Sequence, residues 1–539
     1  MVALLLIVYG IVLLVLAILS YVLSSRGSSL VSQVSQHSRD ASTILRNTVF
    51  PSIRHCLMSR QNVGWLFAVL CIGIAVRAYF LSQPMRYDEA YTFLNFVNGS
   101  IMGLFYYPLP NNHVLHTILV KLSTLIGGSH PESIRFPAFL AGTASIPLMF
   151  FVCRKLLHGR SGAFATVAIS VFPYLVLYST MARGYSIVVF LTLALMFVGA
   201  HVAKTPSIAA SAILSSISAL GLMTMPSMAF PIAGIYLWLV CLLLLNGSSL
   251  KRILCAFVIP CAIMTVGFSA VLYSPVIFVS NGLEPLLANE FVQSQPSEVF
   301  FGQTYPHFAR TLAHYSRDIP GLILLFCLIL MVMGIYSAAR TRNWPILLLL
   351  PSVLVASGLI FLLKHAVPFP RTWIYMIPIV LLIADAGFTH CIEKLSSRFQ
   401  FFVNQGMVLA GVFFAVFLVS TNAIVRYPDT STFPEAPLVA SYLKAVMNDG
   451  DRVYAMFPAD YPTYFYLWYQ GLRDFRDKGK AEKKAERKRK FFVVQKSTYP
   501  VEDATGEHED ASGEHFVKLI EVADVAIYRS RAHERAERS

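Results

Sequence analysis

Asp88 and Glu89 stand side by side in the stretch 82-SQPMRYDEAYTFLNF-96, and from Met1 to Leu283 the only other acidic residues are Asp40 and Glu132. The pair follows an apolar run, 63–81, long enough to cross a bilayer. A carboxylate at such a boundary is costly to hold, which marks it for function, and its natural chemistry is that of a general base. Acids are also favoured at the start of a helix by its dipole. That accounts for one acid better than for two where acids are otherwise absent.

Cations stand where they could complement this pair. Arg135 opens a span in 133-SIRFPAFLAG-142, Arg183 lies in 178-YSTMARGYS-186, and Arg371 opens a span in 368-PFPRTWIYMIP-378 with Lys364 just before it. Guanidinium groups grip phosphate in bidentate fashion, so these side chains are candidates for a phosphate cup. Snorkelling to lipid headgroups, or pairing with Asp88 or Glu89, is the plain alternative. His113 and His116, at i and i+3, share one helix face. With a nearby carboxylate they could hold a metal, but contact with substrate or headgroups is the favoured reading, and no metal site is assigned.

The elements that must position these groups are membrane helices. The chain has 539 residues, is 56% hydrophobic and only 13% charged, with a mean hydropathy of +0.61. Its apolar residues fall in runs of about 20, the length that spans about 30 Å of hydrocarbon. The net charge of +14 follows from Lys and Arg gathered in loops on one side of the membrane. It does not call for nucleic acid, for which no motif is present. No cysteine falls after Tyr427, which excludes a disulfide framework or a Cys-based metal site in the tail.

The apolar run 2–23 is followed by five arginines up to Arg60, which places its N-terminus outside and the polar segment 24–62 inside. Further spans are expected at 63–81, 134–153, 161–180, 186–203, 207–225, 227–245, 253–273, 319–338, 345–363, 373–389 and 405–425. That makes about twelve transmembrane helices. Asp88 and the arginines above fall on the outer side. Residues 82–132 read as an outer segment with two helices lying flat in the interface. Residues 274–318 read as a long Pro-containing outer loop. Residues 1–62 form an N-terminal helix and basic linker, and 63–425 the membrane domain. Residues 426–539 form a small extracytoplasmic α/β domain, with helices near 436–448 and 460–471 and strands at 451–457, 491–496 and 521–530. Its run 473–490 holds ten basic and four acidic residues and reads as a solvated loop.

Residues 63–206 resemble the first part of the GT-C superfamily of polyprenyl-phosphate-sugar glycosyltransferases, among them protein O-mannosyltransferase-like enzymes and bacterial aminoarabinose transferases. The acidic motif of the family's first outer loop is matched by Asp88-Glu89. Its NHPPLY-like stretch is matched by 111-NNHVLH-116, without the prolines. An RLPS-like span start corresponds to 135-RFPA-138. The segment ending SQEARMYSL is matched by 179-STMARGYSI-187, with Met181 at the Glu position, and a later Arg-Tyr is matched in part by Arg371-Thr372.

The resemblance implies an all-α polytopic, GT-C-like membrane protein in a bacterial inner or plasma membrane. It implies transfer of a hexosyl or pentosyl group from a polyprenyl-phosphate donor to a hydroxyl of a glycan, lipid or protein acceptor at the outer face. Asp88 would be the base of an inverting reaction, and Glu89 would orient the acceptor or share a divalent cation, although no cofactor is required. Arg183, Arg371, Lys364 and Arg135 would hold the donor phosphate, and Asn112, His113, His116 and Tyr185 would contact substrate. A lipid or solute transporter gated by Asp88 and the outer arginines is the alternative, although no inverted repeat is visible.

Overall fold

The computed structural model describes residues 60–539 except 161, 204–205, 281, 283–292, 430, 474, 476–488, 497–506, 510–514 and 531–539, together with residues 46, 51, 53 and 54. The expected helix 2–23, nearly all of the linker after it, and most of the basic run 473–490 lie outside the described residues.

Backbone N–H and C=O groups have no water to bond with in hydrocarbon, so apolar runs close their hydrogen bonds within helices. Among the described residues eight helices are long and apolar enough to cross a membrane. They are α1 (Arg60–Leu81), α4 (Pro131–Leu156), α7 (Tyr185–Val202), α9 (Ala229–Leu245), α10 (Leu250–Val279), α12 (Gly321–Arg340), α13 (Trp344–Lys364) and α15 (Ser397–Ser420). Two shorter apolar helices, α8 (Ile208–Thr224) and α14 (Met376–Ile392), and a broken span over 163–179 complete the alternation. Large side chains on α12, such as Leu322, Leu325, Leu328 and Val332, remain exposed and are suited to lipid. The opposite side of α12 meets α14 glycine to glycine: a Cβ on Gly334 would sit 2.0 Å from the Ile383 carbonyl oxygen, and one on Gly387 2.0 Å from that of Leu330. Small residues let two membrane helices approach this closely.

The structure departs from the sequence reading in two membrane elements. The expected span 161–180 is two helices, α5 (Ala163–Val171) and α6 (Pro173–Ser179), broken at Phe172. Pro173 has no N–H to return to Ile169 and so leaves that carbonyl open. Arg77 of α1, only 1% exposed, fills the gap, its guanidinium donating to the carbonyls of Ile169 at 3.2 Å and Ser170 at 2.6 Å. The expected loop 274–318 is also largely helical: α10 runs on to Val279, and α11 covers Ser297–Ser316. Phe300, His307 and Thr311 of α11 are buried, while Phe301, Tyr305, Phe308 and Leu312 form an exposed apolar stripe. Such a helix suits the membrane interface.

The segment after α1 carries α2 (Tyr87–Thr92) and α3 (Val114–Gly127), the two short helices expected between spans. Beyond α15, a mixed five-stranded sheet has the order β1-β2-β5-β4-β3. Its strands are β1 (Arg452–Ala455), β2 (Lys490–Gln495), β3 (Glu507–Glu509), β4 (His515–Val522) and β5 (Val525–Ser530). β1 and β2 run parallel, with helix α17 (Asp460–Tyr469) between them in sequence; the other pairings are antiparallel. The stretch 521–530, read as one strand, is the end of β4, a turn with Ala523 at φ 51°, and β5. Helix α16 (Ala436–Val446) and the sheet enclose a separate core including Leu443, Val453, Phe491 and Ile527.

Helix α17 ties this domain to the membrane part. Phe465 is buried with Met85, Ala90, Phe93 and Ile134, and the Tyr466 hydroxyl accepts from the Met85 N–H at 3.1 Å. Tyr461 stands against Tyr87 and Tyr91 with ring centroids 5.3 and 4.6 Å apart. The domain therefore rests directly on the helix that bears Asp88.

Candidate active site

Helix α2 separates the two neighbouring acids. Successive residues on a helix point about 100° apart, so Asp88 and Glu89 serve different surroundings.

Glu89 is fully buried and saturated. Its Oε2 accepts from Arg135 Nε at 3.0 Å and from the Ala182 N–H at 2.9 Å; its Oε1 accepts from the Arg86 N–H at 2.8 Å and from the Arg135 terminal nitrogen. Arg135, also fully buried, spends its remaining donors on the carbonyls of Leu81, Gln83 and Pro84. The guanidinium thus has no N–H left for a phosphate, and the carboxylate has no open lone pair for an acceptor or cation. The sequence expected Glu89 to orient the acceptor or share a cation and Arg135 to hold phosphate; in this structure each is spent on the other and on backbone. They form a buried ion pair that binds α2 to α4 and to the turn before α7.

Asp88 has the opposite character. Its side chain is 15% exposed, and its Oδ2 lies 3.6 Å from a terminal nitrogen of Arg371, beyond hydrogen-bond length, with no hydrogen-bond partner of its own. Arg371 precedes α14 and is held from several sides. Nε donates to the Tyr185 hydroxyl at 2.8 Å, Nη1 to Asp429 Oδ1 at 3.1 Å, and the guanidinium lies 4.2 Å from the Phe369 ring centroid.

Asp429 had no place in the sequence reading. It follows α15 in 426-RYPDTS-431, and its Oδ2 accepts from the hydroxyls of Tyr174 and Tyr178, each at 2.7 Å. Burial alone would raise its pKa, but Arg371 and the two hydroxyls outweigh burial and hold the carboxyl below the ordinary range. Arg86 fixes the same loop from beneath, donating to the carbonyls of Tyr427 at 2.8 Å and Asp429 at 3.0 Å. An acid directly after the last span was the available signal, but its tyrosine partners lie about 250 residues earlier in the chain.

Arg183 sits deeper, 2% exposed, donating to Thr92 Oγ1 and the Asn111 carbonyl, each at 2.8 Å, and facing His113 Nε2 at 3.1 Å. Its Nε has no partner. His113 Nδ1 accepts from the Gly184 N–H at 2.9 Å, and its ring meets Tyr185 edge-on at 5.3 Å. Through His113 and Tyr185 the Arg183 region joins the Arg371 region. Burial and the Arg183 charge push the His113 pKa well below its usual value and that of His116 to about 3, so both rings are neutral.

Two of the expected substrate contacts are enclosed. Asn112 is 1% exposed and fully engaged, its amide donating to the carbonyls of Leu104 and Tyr106 and its oxygen accepting from Thr117. It braces the turn ahead of α3. His116 is completely buried, with neither ring nitrogen bonded. Lys364 ends α13 in an exposed position, and among the described residues no hydrogen bond or ion pair ties it to Asp88 or Asp429. The described residues contain no group of three His, Cys, Asp or Glu side chains placed to hold a metal.

The arrangement is a partly exposed carboxylate facing a guanidinium that a second, buried carboxylate holds in place. Residues 112–278 match the family model described as dolichyl-phosphate-mannose-protein mannosyltransferase. The fold is similar to that of ArnT from Cupriavidus metallidurans in the apo state, with a TM-score of 0.55 and 13% identity over 87% of this chain and 98% of that one. The ArnT structure bound to undecaprenyl phosphate matches likewise, with a TM-score of 0.54 and 13% identity over 86% and 98%. No curated protein matches the chain in sequence. The chain is a multi-pass membrane protein with the fold of the GT-C glycosyltransferases, similar over residues 112–278 to dolichyl-phosphate-mannose-protein mannosyltransferases.

Proposed function

We propose that this protein transfers a sugar from a polyprenyl-phosphate donor to an acceptor hydroxyl at the outer membrane face, with inversion and with Asp88 as base. The observation that carries this reading is the Asp88–Arg371–Asp429 arrangement: one guanidinium between two carboxylates, of which only Asp88 keeps an unbonded oxygen. The matched family model and the ArnT complex with undecaprenyl phosphate support a lipid-phosphate-linked donor.

The donor phosphate enters beside Arg371 and takes over the terminal nitrogen now turned toward Asp88. Asp429 and Tyr185 keep the guanidinium in place during this exchange. Asp88 then removes the proton from the acceptor hydroxyl as its oxygen bonds to the anomeric carbon. The bond from that carbon to the phosphate oxygen breaks, and the electron pair leaves with polyprenyl phosphate. Arg371 stabilises the charge that develops there, reinforced by the positive field of Arg183 beneath. The leaving group needs no protonation, so one base suffices where glycosidases use two carboxyl groups. The C-terminal domain borders the acceptor side of Asp88 through Tyr461. The test is transfer from a polyprenyl-phosphate-linked sugar by Asp88→Asn in reconstituted membranes. Full activity in that variant removes Asp88 from the role of base.

A further inference from the structure

At the membrane face opposite Asp88, the ends of α4 and α14 and the turn between α12 and α13 enclose a cavity of about 250 Å³. It is one length of α4 from the site: the advance of 22 positions from Arg135 to Leu157 climbs about 33 Å at the standard helical rise. The polar lining includes His158, Arg160, Thr341, Arg342, Asn343 and His390, with no acidic residue among the lining groups. His158, Arg160, Thr341 and Arg342 are exposed at the mouth, whereas Thr389 is buried.

Three helices, α4, α12 and α14, end at this cavity, and free carbonyl ends would repel an anion. Several of those carbonyls are already taken. Gly159 N–H donates to Arg154 O, Asn343 N–H to Ala338 O, and Asn343 Nδ2 to Leu156 O at 3.0 Å. His158 and Arg342 adopt the positive φ values, 57° and 52°, that such helix ends use. Asn343 and Pro345 place the N-terminal, positive end of α13 on the cavity wall. Arg160 is partly neutralised by Glu393 at 3.0 Å, whereas among the described residues no ion pair engages Arg342. Asp385, one turn before Thr389, is buried and does not line the cavity; its Oδ1 accepts from the Ala165 N–H at 3.0 Å and its Oδ2 has no hydrogen-bond partner.

We infer that this cavity binds a phosphate group, supplied by the headgroup of an anionic phospholipid in the leaflet opposite the active site. Basic pockets between membrane helices are suited to such headgroups. A lipid there ties the far end of α4 to that of α14, whose near ends carry Arg135 and follow Arg371.

The test uses the full chain in nanodiscs of phosphatidylcholine with and without phosphatidylglycerol, and separately with inorganic phosphate, followed by native mass spectrometry and thermal unfolding. Phosphatidylglycerol should remain bound and raise the unfolding midpoint. Arg342→Asn, which keeps a residue tolerant of positive φ, should weaken binding about tenfold, the loss of one charge-assisted contact. His390→Gln should weaken it less, and Arg252→Gln, a basic residue elsewhere on the same face, should leave it unchanged. Retained phosphatidylglycerol without a response to inorganic phosphate identifies the lipid. Equal protection by inorganic phosphate keeps the site but makes its ligand soluble. Absence of both effects, or equal loss in Arg252→Gln, overturns the inference.

Discussion

Two carboxylates one residue apart stand in opposite surroundings in this molecule. Glu89 accepts four hydrogen bonds and is sealed against a guanidinium with no spare donor. Asp88 keeps an unbonded oxygen and a loose neighbour at 3.6 Å. Saturation is what a structural ion pair requires, and an unspent lone pair is what a base requires. The lesson extends to the cations: Arg135 is consumed by backbone carbonyls, whereas Arg371 is held through two of its nitrogens and keeps one that can change partner.

This contrast can be broken by substitution. Asp88→Asn should lower transfer by about 10²–10⁴-fold, the usual worth of a general base, with the unfolding midpoint nearly unchanged. A matching loss of stability would move Asp88 into the structural class. Glu89→Gln should do the reverse, costing about 3–5 kcal/mol because Arg135 is left charged and buried; thermal unfolding of purified protein reads this directly. Arg371→Lys should reduce transfer more than it reduces stability, since an ammonium cannot engage Tyr185, Asp429 and a phosphate from one plane. If kcat stays at the native value, Arg371 has no part in the reaction.

Smaller effects sharpen the same division. Asp429 has a depressed carboxyl pKa in the folded state. Its contribution to stability is therefore complete above the unfolded-state value of about 3.9 and lost as pH falls through the lower folded value. Unfolding midpoints of Asp429→Asn should show a shallower acid decline than the native chain. His116, depressed to about 3, favours the folded state fully above about pH 6.5 and loses that advantage on acidification toward 3. His116→Leu removes two unbonded buried nitrogens and should be neutral or stabilising at pH 7, with a flatter profile between those limits. A strong activity loss in His116→Leu without a stability change would assign this ring to catalysis.

The membrane helices were legible because twenty consecutive apolar residues have few alternatives to a span. Asp88 stood out because acids are so scarce before Leu283, and the structure places it beside Arg371. The break at Phe172 was harder to read, since proline is tolerated in membrane helices when another group satisfies the freed carbonyls, and here that group is Arg77 from a different helix. Charge type marked Arg135 and Glu89 but did not reveal their use. Neither sequence spacing nor sidedness records that each would exhaust its hydrogen-bonding capacity on the other and on nearby backbone. Asp429 and Tyr178 meet only after the chain has crossed the membrane repeatedly. Strand β4 was hidden in the polar stretch before it, whereas β2 stood out as a short run rich in Phe and Val.

The seat of α17 on α2 has a practical consequence for anyone trimming this chain. Phe465 and Tyr466 hold Met85 and Phe93 from above, so a shortened protein ending at the last span would present that greasy seam to water. Helix α2 with Asp88 would lose its upper support, and such a fragment should be handled as a damaged protein rather than a minimal one.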